Sequence, residues 1–209
     1  MNYTESLAYL DSLGKFGIKL GMERIEGLLR ELGNPEQKIK TVHVTGTNGK
    51  GSVTSMITNI LLAANLKVGK FTSPHLVKYN ERINLNGKDI SDEDFATAIT
   101  AVKVAADSVV KKGVCEQPTQ FEILTAAAFL YFYLQKVDYA VIEVGMGGLW
   151  DSTNVITPVV SVITNVALDH TDRCGKTLER IAMQKAGIIK EKVPLVTAAE
   201  GNEALGPIV

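Results

Sequence analysis

The run Thr45-Gly-Thr-Asn-Gly-Lys-Gly-Ser52 constrains this 209-residue chain more than any other segment. Before it lies Lys40 to Thr45, a β-branched stretch that reads as a strand. After it, Val53, Met56, Ile57, Ile60, Leu61 and Ala64 recur at helical spacing. Strand, glycine-rich turn and helix in that order open a parallel α/β unit. The glycines let backbone N–H groups turn inward, and the helix that follows brings its positive end, so the segment is built to cradle phosphate oxygens. Lys50 would supply a point charge for the terminal phosphates and Ser52 a hydroxyl for phosphate or metal, with Thr47, Asn48, Gly49 and Gly51 completing the wrap. The strict form of this motif is not met. It would have glycine at Val44 and Ser or Thr directly after the lysine, where Gly51 stands. A plain glycine-rich turn carrying an exposed lysine is the alternative.

The rest of the chain repeats the alternation. Helices are expected over Thr4–Leu13, Met22–Leu32, Ser91 to about Lys112, Gln120–Gln135 and Leu178–Ile188. Strands are expected over Leu66–Phe71, Asp138–Val144, Val159–Asn165 and Pro194–Thr197, while Thr72–Ile90 reads as irregular, with an Asn86-Gly87 turn signal. The fold class is therefore α/β, a mainly parallel sheet with helices on both faces, spanning 1–209 as one unit. In such sheets ligands sit beyond the carboxyl ends of the strands, which points to the loops Gly46–Ser52, Thr72–Arg82, Gly145–Asn154 and Val166–Thr171.

Composition removes several function classes. Hydrophobic residues are 45% and charged residues 22%, values of a folded globular protein. Lys plus Arg is 22 against 23 Asp plus Glu, so no basic field suits nucleic acid and any anion must be recognised locally. Cys115 and Cys174 have no CxxC spacing, which fits a reducing compartment. The first residues lack a basic segment followed by an apolar run, and no stretch reaches the ~18 apolar residues of a membrane span. A cytoplasmic protein without nucleic-acid or membrane partners is expected, and a monomer.

Four further segments narrow the reading: TSPH followed by YNERI (Thr72 to Ile83), IEVGMGGLWDSTN (Ile142 to Asn154), NVALDH (Asn165 to His170) and KAGIIK (Lys185 to Lys190). With TGTNGKGS they resemble the Mur-type ATP-dependent ligases, and within these the folylpolyglutamate synthase/dihydrofolate synthase family. The resemblance implies a P-loop NTPase-like central domain using ATP and Mg2+. It implies ATP-dependent addition of L-glutamate to the carboxylate of a reduced folate through an acyl phosphate, with ADP and phosphate released. Dihydropteroate plus glutamate is the alternative substrate pair. It also implies proteins about twice this length, so 1–209 is expected to be the N-terminal ATP-binding part, incomplete at its C-terminal end and without the ligase domain. A nucleotide-binding fragment without turnover is then a second reading. A different P-loop enzyme, a kinase or GTPase, is a third, weakened by the extra residue between Lys50 and Ser52 and by the absence of an NKxD-type motif.

Site assignments combine both sources. Glu143 closes a buried strand, where a carboxylate is costly unless a cation meets it, and is assigned to magnesium; a strand-end Glu paired with lysine is the alternative. By resemblance Ser73 is a second oxygen ligand and His170 ligates a second magnesium, with Asp169 orienting it; a turn-capping serine and a structural histidine are the alternatives. By resemblance, too, Lys185 is carbamylated and supports magnesium; one more surface lysine is the alternative. Lys50, Lys185 and His170 form the catalytic set. Arg82 suits a substrate carboxylate or acyl phosphate, against a surface salt bridge, and Asp151 a substrate amine or pterin edge. His43 is expected only to fill space on its strand, and His75 lies in the substrate loop with nothing in the sequence to assign it a role. Phe121 and Glu122 resemble a segment near the substrate cleft or simply start a helix, and Trp150 covers a ring or the base of its loop.

Overall fold

A computed structural model describes residues 1–14, 21–168, 177–201, 204 and 206–208. Helices α1 (Tyr3–Leu13) and α2 (Glu23–Glu31) lead into β1 (Thr41–Thr45), α3 (Lys50–Ala63) and β2 (Val68–Phe71). Then come β3 (Ile83–Leu85), β4 (Lys88–Asp89), α4 (Asp92–Lys111), α5 (Gln120–Leu134), β5 (Tyr139–Glu143), β6 (Val160–Ile163), α6 (Leu178–Ala186) and β7 (Leu195–Thr197). The helix starts follow local chemistry. Asn2 and Glu5 form a capping box on α1, Ser91 accepts from the Asp94 amide on α4, and Thr119 and Glu122 form a capping box on α5.

The sheet has seven strands in the order β4-β3-β2-β5-β1-β6-β7. β2, β5, β1, β6 and β7 run parallel. β3 and β4 are antiparallel additions at one edge. This hairpin corrects the reading of Thr72–Ile90 as irregular. Its strands are too short to show a period, and only the turn, with φ of 52° at Asn86 and 79° at Gly87, marks it in sequence. β1 sits between β5 and β6, so the loops that leave these three strands open side by side at one end of the sheet.

Helices cover both faces. Along β5, Ala140 and Ile142 join the core formed with α1, α2, α4 and α5, while Val141 joins Val42 and Val44 of β1 under Val53, Ile57 and Leu61 of α3. α5 lies close on the sheet at Gly69, where a Cβ would stand 2.6 Å from the Phe132 ring. α2 is tied to α5 by Arg24 and Glu122, both buried, with Nε 3.1 Å from Oε1. No helix among the described residues is long and apolar enough to cross a membrane.

Candidate functional site

The glycine loop emerges from β1 and turns into α3. Gly46 adopts φ +153°, and a Cβ there would lie 1.7 Å from Thr164 Oγ1, so only glycine fits. Gly49, at φ +76°, caps α3. The loop's shape is set from the next strand. Thr47 N donates to Asn165 O at 3.0 Å, Asn48 N to Asn165 Oδ1 at 2.9 Å, and Thr164 Oγ1 to Asn48 O at 2.7 Å. Thr47 Oγ1 donates to Ala167 O and accepts from Ala167 N, each at 3.0 Å. Lys50 folds its ammonium back over the loop, donating to Gly46 O at 3.0 Å and Thr47 O at 3.3 Å. That is a cationic mouth lined by backbone at a helix N-terminus, the arrangement a polyphosphate needs.

Glu143 stands beside this mouth. It ends β5, is 4% exposed, and a Cβ on Gly51 would lie 3.6 Å from its Oε2. Ser73 approaches from the loop after β2, its N–H donating to Glu143 Oε2 at 3.2 Å. Burial pushes the Glu143 carboxyl above its ordinary range; the Ser73 amide, Lys50 and Lys70 pull the other way, and Asp151 adds to the rise. Glu143, Ser73, Lys50 and Gly51 are thus brought together. Among the described residues no group of three or more His, Cys, Asp and Glu side chains could hold a metal. One buried carboxylate beside a phosphate cradle still fits magnesium, which takes few protein ligands and completes its shell with phosphate oxygens and water.

The raised carboxyl has a measurable consequence. Its stabilising contribution is complete below the ordinary value of 4.5 and is lost as the pH rises through the higher folded value. Glu143→Gln is therefore expected to stabilise the ligand-free chain at pH 8 by about 1 kcal/mol, with the gain vanishing in urea titrations below pH 4.5. The same variant is expected to lose magnesium-dependent nucleotide affinity.

The loop after β5 carries the GGLWDSTN motif. Thr45 Oγ1 donates to Gly147 O at 2.7 Å, tying it to β1. Asp151, 7% exposed, accepts from Met146 N at 2.9 Å and from Thr153 N and Oγ1 at 3.0 and 2.6 Å. Expected to meet a substrate edge, it has both oxygens engaged by its own loop. Burial raises its carboxyl, and these donors oppose the rise. The far side of the loop seats α6. Leu149 N donates to Gln184 O at 2.8 Å and Asn154 Nδ2 to Gly187 O at 3.0 Å. A Cβ on Gly187 would stand 2.4 Å from Leu149 Cα, and one on Gly148 2.7 Å from Gln184 O. The motifs GGLWDSTN and KAGIIK are therefore two sides of one contact. Lys185, on the last turn of α6, is 3% exposed, which removes the surface-lysine alternative.

Arg82 is half-buried at the end of the loop after β2. Its Nε donates to His75 Nδ1 at 2.8 Å and its guanidinium lies 5.8 Å from the Tyr79 ring centre. Among the described residues it pairs with no carboxylate, so the surface salt bridge is not formed. Glu81 holds this loop, accepting from the amides of Leu76, Val77 and Lys78 at 2.7, 2.8 and 2.7 Å. Phe121 and Glu122 start α5, and Phe121 packs where a Gly145 Cβ would fall, 2.5 Å from its Cζ. Trp150 is 47% exposed. His170 and Asp169 lie outside the described residues.

Two features escaped the sequence reading. The clamp of Thr164, Asn165 and Ala167 on the glycine loop is long-range, and only the NVALDH string marked it. His43 does more than fill space: its Nε2 lies 2.8 Å from Thr153 Oγ1.

A glycine loop between strand and helix, with a buried carboxylate at the end of the adjacent parallel strand, defines a P-loop-type nucleotide-binding α/β protein. More narrowly, residues 44–200 match the Mur ligase middle domain, and the chain belongs to the Mur ligase family. It is 47% identical over 206 residues to the dihydrofolate synthase/folylpolyglutamate synthase of Bacillus subtilis, covering 97% of this chain and 47% of that protein. Against the folylpolyglutamate synthase of Lacticaseibacillus casei identity is also 47%, over 94% of this chain and 46% of the relative. The solved FPGS-AMPPCP-folate complex superposes with a TM-score of 0.92 at 45% identity, covering 100% of this chain and 51% of that one. The chain spans about half the length of the relatives it matches.

Proposed function

We propose that this chain is the ATP-binding half of a ligase that adds L-glutamate to the carboxylate of a reduced folate. The observation that carries the reading is the glycine loop with Lys50 at its mouth and Glu143 beside it. The relatives' names supply the substrates. A carboxylate is a poor electrophile, and phosphorylation by ATP makes it an acyl phosphate that the glutamate amine attacks, releasing phosphate. The residues divide that work. Thr47, Asn48, Gly49, Gly51 and Ser52 wrap the phosphates, and Lys50 leaves the Gly46 and Thr47 carbonyls to meet the terminal one. Ser73, Glu143 and His170 would hold Mg2+, which when bound would neutralise phosphate charge. Lys185, if its neutral amine added carbon dioxide and lost a proton, would become a carbamate able to support the metal. Arg82, steadied by His75, offers its free guanidinium nitrogens to the folate's acid, and Asp151 orders the loop after β5 toward a substrate edge. The protein works as a cytoplasmic monomer.

A second reading, binding without turnover, is favoured for the 209 residues alone by their half-length match. The test separates the two. A protein of full family length carrying this sequence is expected to release ADP only when reduced folate and glutamate are both present, with dihydropteroate as the comparison substrate. The 209-residue chain is expected to bind Mg-ATP without releasing ADP. ADP release independent of folate overturns the ligase reading.

A further inference from the structure

β1 turns Val42 and Val44 toward α3, so His43 between them faces the other way, under the loop that follows β5. Its ring is fully buried, with Nε2 2.8 Å from Thr153 Oγ1, which is 2.6 Å from Asp151 Oδ1. Counting hydrogens fixes the direction. The Thr153 hydroxyl has one proton. If it goes to Asp151, His43 must donate from Nε2, and the buried Nδ1 is left as an acceptor without a partner, as found. The reverse arrangement would leave a buried N–H donor unpaired, the costlier orphan. The amides of Met146 and Thr153 both donate to Asp151, so its oxygens act as acceptors and oppose the burial that raises its carboxyl. Burial, aided by the Lys190 charge, pushes the His43 ring down to about 3, so it is neutral in the folded chain.

We propose that His43 is a positioning residue: donating from Nε2 to Thr153, it completes a buried relay to Asp151 that pins the Gly145–Met146 turn directly after the cation-holding Glu143. The relay links the strand that launches the phosphate loop to the loop that follows the strand carrying the carboxylate. It rests on the proposed role of Glu143, and its test is built so that the two ideas fail separately.

The probe is AMPPCP, titrated by calorimetry into the 209-residue chain with and without magnesium. His43→Met removes the donor at similar volume, and His43→Gln keeps an amide N–H at the same reach. In His43→Met the magnesium-dependent gain in affinity is expected to fall about tenfold, with metal-free affinity unchanged and His43→Gln restoring most of the gain. Equal losses with and without metal, or no loss, would overturn the positioning role. The second readout needs no nucleotide. Amide exchange at Met146 is expected to speed up in His43→Met and stay slow in His43→Gln, and ring nitrogen shifts of the unsubstituted chain are expected to show a proton on Nε2 alone. If the unsubstituted chain gains nothing from magnesium, the Glu143 assignment falls, and the relay then stands or falls on Met146. Unchanged exchange in His43→Met, or a ring protonated on Nδ1, would overturn it.

Discussion

Replacing Glu122 with alanine is expected to cost about 3–5 kcal/mol of unfolding free energy, the largest loss of any single substitution considered for this chain. The carboxylate is 2% exposed and meets Arg24, 4% exposed, through Nε at 3.1 and 3.2 Å. Truncation takes the buried carboxylate away from a buried guanidinium, which keeps Glu23 Oε1 at 3.3 Å and Gly21 O at 3.5 Å at its outer nitrogens. Glu122 also accepts from the Thr119 amide at 2.6 Å, closing the capping box that starts α5, and that loss adds to the first. Arg24 sits on α2, so the pair ties the N-terminal helices to the helix that packs over β2 and β5. Urea denaturation measures the cost directly. An apolar double replacement, Arg24→Met with Glu122→Leu, is expected to recover most of the loss, because a buried pair exchanged whole for apolar side chains is close to neutral. A loss under 1 kcal/mol in Glu122→Ala would show that the pair does not hold the helices together.

Gly187→Ala is expected to act where α6 meets the loop after β5. The added Cβ would stand 2.4 Å from Leu149 Cα and 2.8 Å from Leu149 N, so backbone and not a flexible side chain has to move. Overpacking of this kind costs about 1–3 kcal/mol. The shift opens the contact between α6 and the loop after β5, including the 2.8 Å bond from Leu149 N to Gln184 O. Lys185, the proposed support of the metal, precedes Gly187 by less than one helical turn, so the shift reaches it. Lower thermal stability is therefore expected together with weaker magnesium-dependent nucleotide binding. Gly14→Ala is the control: its backbone is right-handed helical and a Cβ there meets nothing within 4 Å. Unchanged magnesium dependence in Gly187→Ala would mean that the seat of α6 does not set the site.

Most of the architecture could be read from the chain because each element carries its own signal. The helical spacing of Ile25, Leu28 and Leu29 and the β-branched run at β1 name their elements without help from the rest of the fold. The hairpin of β3 and β4 could not be read in the same way, since strands of three and two residues have no period, and only Asn86-Gly87 spoke for them. The phosphate loop was legible as a string. What holds it was not, because Thr164, Asn165 and Ala167 follow it by more than a hundred residues and meet it only when β6 pairs with β1. His43 is the clearest miss. On a strand between two valines it looks like filler, and its partners, Thr153 and Asp151, are set by the return of the chain after β5. The glycines of GGLWDSTN and KAGIIK could be read as motif letters. That Gly148 and Gly187 are the two faces of one close approach is a fact of packing.

The glycine loop of this chain is expected to bind the phosphates of a nucleotide. Calorimetry with Mg-ATP on the 209-residue chain and on its Lys50→Ala variant tests it most directly. The predicted result is binding by the unsubstituted chain and a loss of about 10- to 100-fold in the variant, the weight of about 1.5–3 kcal/mol carried by a charged donor. Equal affinity in the two proteins, or no binding by either, would contradict the account.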